Sequence, residues 1–240
     1  MSAAPHPKRW GIAILLGVGV LVNYFDRVNL SVSYQAITRE FNLGAAGFGY
    51  LLSAYSWTYA LCQIPAGAIL DRFGVKVVGR VSALLWSIAS FFSAISNGAM
   101  QFFASRLVLG VGEAPTFPGN AKAVSKWFPE NERGLATACF DSAAKFASAI
   151  GVPLMGLLVV RVGWRGTFFA TAAASFAYFL LFTLVYRDPE SEAPAVVTSQ
   201  ARQVDIVDLL GDKKVAGLAI GSGAYNYCFH LLLTWLPAYL

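Results

Sequence analysis

Residues 67–76 read Gly67-Ala-Ile-Leu-Asp71-Arg72-Phe-Gly74-Val-Lys76, and their charged side chains interrupt an otherwise apolar region. The apolar stretch before this turn covers residues 46–70, and the stretch after it covers residues 75–96. Each is long enough to cross the hydrocarbon core of a bilayer, which takes a helix of about 20 residues. The sequence therefore predicts two membrane helices joined by a short charged loop, in which Gly74 permits a tight turn.

The rest of the chain has the same character. Of its 240 residues, 57% are hydrophobic and only 13% are charged, which excludes an ordinary soluble domain. We predict an all-α integral membrane protein with spans at residues 11–33, 46–70, 75–96, 99–126, 134–160, 164–186 and 215–240. The first six spans form an N-terminal bundle over residues 1–186, built as two three-helix repeats, which is a known plan of secondary transporters.

The segment 187–214 separates this bundle from the seventh span at residues 215–240. It contains Pro189 and Pro194. It also holds most of the charged residues that lie neither in the spans nor in the short loops. Apolar residues alternate with aspartates over residues 204–212. This pattern predicts a short amphipathic helix lying on the cytoplasmic face of the membrane.

Basic residues predict the orientation. Most of the 18 Lys and Arg residues lie in segments on the same side as the N-terminus, and only Arg39, Arg161 and Arg165 lie on the other side. By the positive-inside rule the N-terminus is cytoplasmic, in a multi-pass protein of the cell (inner) membrane. The net charge of +5 comes from Lys and Arg in short loops and thus reports the orientation of the chain in the lipid bilayer, and nucleic acid is not an expected partner.

Six charged residues fall inside the predicted spans. A charge at the bilayer centre costs roughly 2.5 to 3.5 kcal/mol on insertion scales, so such side chains face a partner or a wet cavity. Three of the six are acids and three are bases, which favours a polar pathway and therefore transport. The alternative is a set of static ion pairs that hold the helices together. The six are Asp26, Arg27, Arg106, Glu113, Asp141 and Lys145.

The fourth predicted span carries a polar stripe. Arg106, Glu113 and Asn120 are seven residues apart, which is two helical turns, so they project on nearly the same face. Gly110 and Gly112 allow a neighbouring helix to approach closely. Pro115 and Pro118 predict a kink in the same span.

The loop at residues 67–76 resembles the GxxxDRxGx[KR] signature of the major facilitator superfamily. The block at residues 112–118, together with Trp127-Phe-Pro, Glu132-Arg133-Gly134 and the run at residues 23–27, is similar to the anion:cation symporter family and its proton-coupled sugar-acid permeases. This resemblance covers spans 1 to 7. It implies that the acids Asp26 and Glu113 couple protons.

The same resemblance implies further roles. Arg27 and Arg106 are associated with the anionic substrate, and Tyr24 and Tyr59 line its pocket. A conformational latch is implied at residues 67–76, where Asp71 can pair with a base from another helix. The latch residues are Gly67, Asp71, Arg72 and Gly74.

Span 5 departs from the permease pattern. Where those proteins tend to have Asn-Ser-Ala-Gln, this chain has Asp141-Ser-Ala-Ala-Lys145. Asp141 and Lys145 can pair along one helix face, since they are four residues apart, or Lys145 can add a second positive group to the cavity. In span 7, Asn226 is a plausible substrate contact, because a polar face of this helix lines the cavity in the family.

We therefore expect a secondary active transporter that moves an organic anion, such as a sugar acid, together with protons by alternating access. The alternatives are a proton-independent exchanger or facilitator, a sodium-coupled carrier, and a membrane fragment or sensor that does not transport. An enzyme is not expected, and neither is a cofactor or a metal. The chain looks like the N-terminal half of such a protein plus its seventh helix, with the C-terminal helical half as its missing partner.

Overall fold

Helices make up nearly all of the chain that the structure describes. The computed structural model describes residues 8–189 and 211–239, and no strand occurs in these two ranges. The helices are α1 (Arg9–Val32), α2 (Tyr34–Glu40), α3 (Ala45–Ile95), α4 (Ala99–Glu113), α5 (Thr116–Trp127), α6 (Glu130–Val185) and α7 (Lys213–Tyr239). The chain forms two units, Met1–Pro189 and Glu190–Leu240, and the second contains α7. The predicted amphipathic helix at residues 204–212 lies almost entirely outside the described residues.

Two of the long helices are each interrupted by one glycine. Gly74 in α3 has φ 76° and ψ 167°, and Gly163 in α6 has φ 73° and ψ 170°. This backbone region is essentially open to glycine alone. Each glycine therefore makes a sharp turn that divides its helix into two spans, at residues 45–73 and 75–95 and at residues 130–162 and 164–185.

The two glycine turns reveal the repeat. In each group of three, a first span is followed by a second span with an internal proline, then by the glycine turn and a third span. Pro65 precedes Gly74 in the first group, and Pro153 precedes Gly163 in the second. The predicted fold class, a helical membrane protein with a six-helix N-terminal bundle, is confirmed.

The fourth span consists of two helices. α4 ends at Glu113 and α5 begins at Thr116, so the helix is broken at Ala114 and Pro115, where a kink is predicted. Close packing predicted at the glycines of α4 is also present. A Cβ at Gly110 would overlap Thr58 and the backbone of Tyr55 in the second span. A Cβ at Gly112 would lie 2.9 Å from the backbone nitrogen of Trp86 in the third span.

The surface of the bundle is apolar and its interior is partly polar. Leu61, Met100 and Val160 are each at least 75% exposed, while several serines and threonines are buried between the helices. Within residues 8–189 and 211–239, three helices are long and apolar enough to cross a membrane, namely α1, α3 and α6. An apolar surface of this extent is expected where lipid is the solvent and is unusual on a soluble monomer.

The short helix α2 was not predicted, and it ties one end of the bundle together. Glu40, its last residue, accepts hydrogen bonds of 2.6 Å from Arg165 Nη2 and 2.6 Å from Trp164 Nε1. Arg165 Nη1 also donates to Ala94 O at 2.8 Å. The hydrogen bond from Arg165 holds the pKa of the Glu40 carboxyl below its ordinary value.

Candidate functional site

A buried ion pair between the first and fourth spans forms the centre of the candidate site. Arg27 Nε donates to Glu113 Oε2 at 3.3 Å, and the Tyr55 hydroxyl donates to the same oxygen at 2.7 Å. Glu113 is fully buried, whereas 24% of the Arg27 side chain is exposed. Of the two charged partners, Arg27 is therefore the one whose side chain is partly open to the surroundings.

Three tyrosine rings surround the Arg27 guanidinium. Its Cζ lies 4.7 Å from the ring centroid of Tyr24, 5.0 Å from that of Tyr55 and 4.9 Å from that of Tyr59. Cation–π contacts of this kind stabilise a guanidinium without neutralising it. No acceptor among the described residues pairs with Arg27 Nη2. We call Tyr24, Arg27, Tyr55, Tyr59 and Glu113 the Arg27 cluster.

Asp26 lies next to Arg27 in sequence but points into the interior of the bundle. Its Oδ1 accepts a hydrogen bond from Ser90 at 2.9 Å, and its Oδ2 accepts one from Ser175 at 3.1 Å. These serines belong to the third and sixth spans. Asp26 is fully buried, and its hydrogen-bond partners among the described residues belong to the six-helix bundle.

Arg106 lies behind the Arg27 cluster. Its Nη2 donates to Ser93 at 3.1 Å, and its Cζ lies 5.1 Å and 4.9 Å from the ring centroids of Phe102 and Phe168. The side chain is buried, and it interacts electrostatically with both Asp26 and Glu113. One cation thus acts on both candidate proton-coupling acids.

The turn at Gly74 is bridged to α5 by an ion pair. Lys122 Nζ donates to Asp71 Oδ1 at 2.7 Å and to Leu70 O at 2.9 Å. The Asp71 side chain is 81% exposed, and ion pairs in such a setting are weak. A weak pair is compatible with the predicted latch, whose role stays a prediction. The Arg72 guanidinium stacks on the Phe73 ring at 5.2 Å, and Gly67 lies in the helix that leads to the turn.

The sequence profile described as Major Facilitator Superfamily matches residues 16–240. The chain belongs to this superfamily. The resemblance found at residues 67–76 is therefore confirmed.

Superfamily relatives with known names include transporters of sugar acids. The chain is 38% identical to an uncharacterized transporter of Bacillus subtilis, YybO, over 98% of this chain and 58% of that protein. It is 32% identical to the probable galactarate/D-glucarate transporter GudP of Escherichia coli, over 97% and 58%. It is 31% identical to a D-galactonate transporter of Escherichia coli, over 100% and 61%. The chain thus spans about 60% of the length of these relatives.

Two solved structures of transporters share the fold of this chain. A bacterial homolog of the human lysosomal transporter Spinster, in an inward-facing and unoccupied conformation, aligns with a TM-score of 0.78 and 19% identity, over 97% of this chain and 55% of that chain. A D-xylose-proton symporter aligns with a TM-score of 0.62 and 18% identity, over 75% and 49%. At these identities the likeness concerns the helical arrangement.

Most of the residues that the sequence predicts for the site lie together in the six-helix bundle. Arg27, Glu113, Tyr24 and Tyr59 form one cluster, with Asp26 and Arg106 beside it. Sequence reasoning missed Tyr55, although it lies one helical turn from Tyr59 on the same span and its ring stacks on that of Tyr59 at 5.3 Å. The roles of all these site residues in substrate binding and proton coupling stay predictions.

The remaining candidates lie at the edge of the cluster or in the second unit. Asp141 and Lys145 are both exposed, and Asp141 interacts electrostatically with Lys145 and with Tyr24. This arrangement is compatible with both roles considered for Lys145. Asn226 lies on α7 in the second unit, where its Nδ2 donates to Ser222 O at 3.0 Å. Its role in substrate binding stays a prediction.

Proposed function

We propose that this protein is a secondary active transporter that carries an organic anion, of the sugar-acid class, together with protons by alternating access. The observation that carries the proposal is the Arg27 cluster. The Arg27 side chain is 24% exposed, and it is paired with a fully buried carboxylate. Binding of an anion to Arg27 therefore changes the charge balance around Glu113.

The coupling follows from this charge balance. In the described arrangement, Arg27 compensates the Glu113 carboxylate. When the carboxylate of a substrate binds the Arg27 guanidinium, the Glu113 carboxylate is left without a full counter-charge. A buried charge of this kind is costly in free energy. A proton on Glu113 removes that cost. Anion binding and proton binding thus favour each other, and release of one favours release of the other.

Arg27 is well suited to the substrate. A guanidinium stays charged and binds a carboxylate through two parallel hydrogen bonds. The tyrosines Tyr24 and Tyr59 hold it in place and offer hydroxyl groups to a polyhydroxylated chain. The names of the relatives, which include galactarate, D-glucarate and D-galactonate transporters, support this substrate class.

Asp26 is the second proposed proton site, and Arg106 is the charge that links it to the first. Arg106 interacts electrostatically with both acids, so a proton gained by one acid changes the field at the other. A direct contact of Arg106 with substrate is proposed for a state in which the surrounding phenylalanines have moved. Opening of the Asp71–Lys122 pair is proposed to accompany the change between states.

The setting of this mechanism is a cell membrane, with the N-terminus in the cytoplasm. The partners are the lipid bilayer, a small organic anion and protons, and no cofactor takes part. Alternating access also needs a second wall for the substrate cavity. We propose that a C-terminal helical half, which begins with the seventh span at residues 215–240, supplies it.

The test is uptake of labelled D-glucarate and D-galactonate into proteoliposomes under an inward proton gradient. We expect accumulation by the protein that includes the proposed C-terminal half, and its loss when the same protein carries Asp26→Asn or Glu113→Gln. Glu132→Gln is the matched control, because Glu132 pairs with Arg9 at 2.8 Å at the end of the bundle, away from the cluster. This variant should accumulate substrate normally.

Two further measurements separate the alternatives. A proton-independent exchanger or facilitator would transport without accumulation and would tolerate both acid-to-amide changes. A sodium-coupled carrier would stop when choline replaces sodium. Retained accumulation in Asp26→Asn and Glu113→Gln would show that the proton-coupling assignment is wrong.

A further inference from the structure

A group of aromatic rings extends from Arg106 to one end of the six-helix bundle. The Arg106 guanidinium contacts two buried rings, those of Phe102 and Phe168. These two rings meet edge to face, with their centroids 5.4 Å apart. The ring of Trp164 packs on both of them, at 6.0 Å from Phe102 and 5.9 Å from Phe168. We call Phe102, Phe168 and Trp164 the Arg106 clamp.

Glu40 anchors the Arg106 clamp at the end of the bundle. Trp164 Nε1 donates to Glu40 Oε2 at 2.6 Å, and the ring of Phe41, the next residue, lies 5.7 Å from that of Trp164. The Glu40 side chain is 41% exposed, whereas Trp164 is only 6% exposed. A carboxylate near the surface therefore fixes an indole that is otherwise inside the bundle.

The Arg106 guanidinium is held without a directly paired acid. Its Nη2 donates to Ser93, and no acceptor among the described residues reaches its Nε. No ion pair in residues 8–189 includes Arg106. Aromatic rings and a neutral hydroxyl stabilise a guanidinium without neutralising its charge. Arg106 thus keeps its capacity to bind an anion, and the clamp is what fixes its position.

We infer that Trp164 is a positioning residue, whose hydrogen bond to Glu40 restrains the Arg106 clamp and thereby keeps the Arg106 guanidinium away from the substrate. When this hydrogen bond is lost, the rings of Phe102 and Phe168 move more freely, and Arg106 reaches the substrate carboxylate more often. The inference rests on the proposed function, in which Arg106 contacts the substrate in a second state. It adds the residues that control access to that state.

The direction of the effect follows from the populations of the two states. A ligand that binds one state has an apparent affinity that is reduced by the fraction of protein in the other state. In the described arrangement Arg106 is confined by the clamp, so this state does not use Arg106 for the anion. A change that weakens the clamp therefore favours the second state and should tighten substrate binding.

The first test follows the ring of Phe168 directly. A para-fluorophenylalanine at position 168 reports the surroundings of this ring by fluorine NMR, with no substrate present. Glu40→Ala removes the acceptor of the Trp164 hydrogen bond, whereas in Glu40→Gln an amide oxygen can still accept it. We expect Glu40→Ala to broaden or split the resonance and Glu40→Gln to leave it unchanged.

Two results of this NMR experiment would overturn the inference, whatever the transport activity. An unchanged resonance in Glu40→Ala would show that the hydrogen bond does not restrain the ring. The same change in Glu40→Ala and Glu40→Gln would show that the ion pair of Glu40 with Arg165 restrains it instead.

The second test is equilibrium binding of labelled D-glucarate and D-galactonate to the protein that includes the proposed C-terminal half. Trp164→Phe keeps a ring against Phe102 and Phe168 but loses the Nε1 donor. It should bind about fivefold more tightly, which corresponds to about 1 kcal/mol. Trp10→Phe is the matched control, because Trp10 packs on Phe128 at 5.2 Å at the other end of the bundle. Its affinity should stay within about twofold of that of the unaltered protein.

The two partners of the hydrogen bond should act as one unit. Glu40→Ala should tighten binding as much as Trp164→Phe, and the double variant should bind no more tightly than either single variant, because both changes remove the same bond. Glu40→Gln should bind like the unaltered protein. Tightening in only one of the single variants, or additive tightening in the double variant, would overturn the inference.

Thermal midpoints measured on the same variants separate positioning from stability. If Trp164 and Glu40 only stabilise the fold, both variants lose thermal stability and neither binds more tightly, which also overturns the inference. Failure of the proposed function is seen separately, as absence of sugar-acid binding by the unaltered protein or as unaffected accumulation in Asp26→Asn. The fluorine spectra still decide in that case whether Glu40 restrains the Arg106 clamp.

Discussion

Replacing Tyr55 with Phe removes one hydroxyl group and leaves an aromatic ring beside Arg27. That hydroxyl donates to Glu113 Oε2 at 2.7 Å, and the ring centroid lies 5.0 Å from the guanidinium. The neighbouring Tyr59 has its ring at 4.9 Å from the same guanidinium. No hydrogen bond joins it to Glu113 among the bonds described for residues 8–189. Tyr55→Phe and Tyr59→Phe are therefore a matched pair that differs in one hydrogen bond to the carboxylate.

The magnitude follows from the charge of the acceptor. A hydrogen bond to an ionised group contributes about 1.5–3 kcal/mol, and each 1.36 kcal/mol corresponds to one pH unit in a titration. The Tyr55 hydroxyl stabilises the ionised form of the carboxyl, so its removal favours the protonated form. In Tyr55→Phe, the midpoint of the pH dependence of uptake should move to higher pH by about 1–2 units. In Tyr59→Phe it should stay in place.

The assay is proton-driven uptake in proteoliposomes, measured over a series of external pH values at saturating substrate. Substrate affinity is measured in parallel, because both rings also hold Arg27 and both changes could weaken binding. A shift of the same size in the two variants would show that the rings alone are responsible. No shift in Tyr55→Phe would refute the assignment of Glu113 as a proton-coupling group.

Three further changes test other parts of the structure. Gly74→Ala should cost about 1–3 kcal/mol from backbone strain alone and lower the thermal midpoint, because no atom lies within 4 Å of its Cβ; Gly67→Ala, on the preceding helix, should leave the midpoint unchanged or raise it. Glu40→Gln should cost about 0.5–1 kcal/mol at neutral pH, since its partner Arg165 is partly exposed. The pKa of Glu40 is lowered in the fold, so this stabilisation is present above the pKa of the unfolded chain and is lost as pH falls through the folded value; the variant and the unaltered protein should then unfold alike in acid. Arg27→Lys keeps the positive charge but loses the planar guanidinium, which can donate two parallel hydrogen bonds to a carboxylate. It should weaken equilibrium substrate binding by about tenfold, or about 1.4 kcal/mol.

Sequence patterns predicted the helices because membrane spans depend on local composition. The apolar stretches around residues 67–76 were sufficient to place the second and third spans, and charges inside spans 1 and 4 pointed to Arg27 and Glu113. The observed helix boundaries differ from the predicted ones at the turns. The second helix runs on to residue 73 and the chain reverses at Gly74 alone, because a single glycine with positive φ replaces a loop of several residues.

Other features depend on contacts between distant parts of the chain. Tyr55 and Glu113 are 58 residues apart, so the spacing of Tyr55 from Tyr59 could suggest a shared face but not the hydrogen bond to Glu113. The sequence similarity between the two groups of three spans is too weak to prove a repeat. The structure reveals the repeat, because Gly163 has the same backbone conformation as Gly74. The helix α2 was missed because it is short and its stability comes from Glu40 contacts with Arg165 and Trp164, which lie far along the chain.

In the proposed mechanism, one helical turn serves two cargoes, because Asp26 binds the proton and Arg27 binds the anion. Consecutive residues of an α-helix point about 100° apart, so Asp26 faces the third and sixth spans while Arg27 faces the second and fourth. The two are nevertheless coupled, because Arg106 interacts electrostatically with Asp26 and with Glu113, the partner of Arg27. An anion that binds Arg27 changes the charge of the Glu113 pair, and this change acts through Arg106 on Asp26. The proposed coupling therefore requires no direct contact between the anion and Asp26.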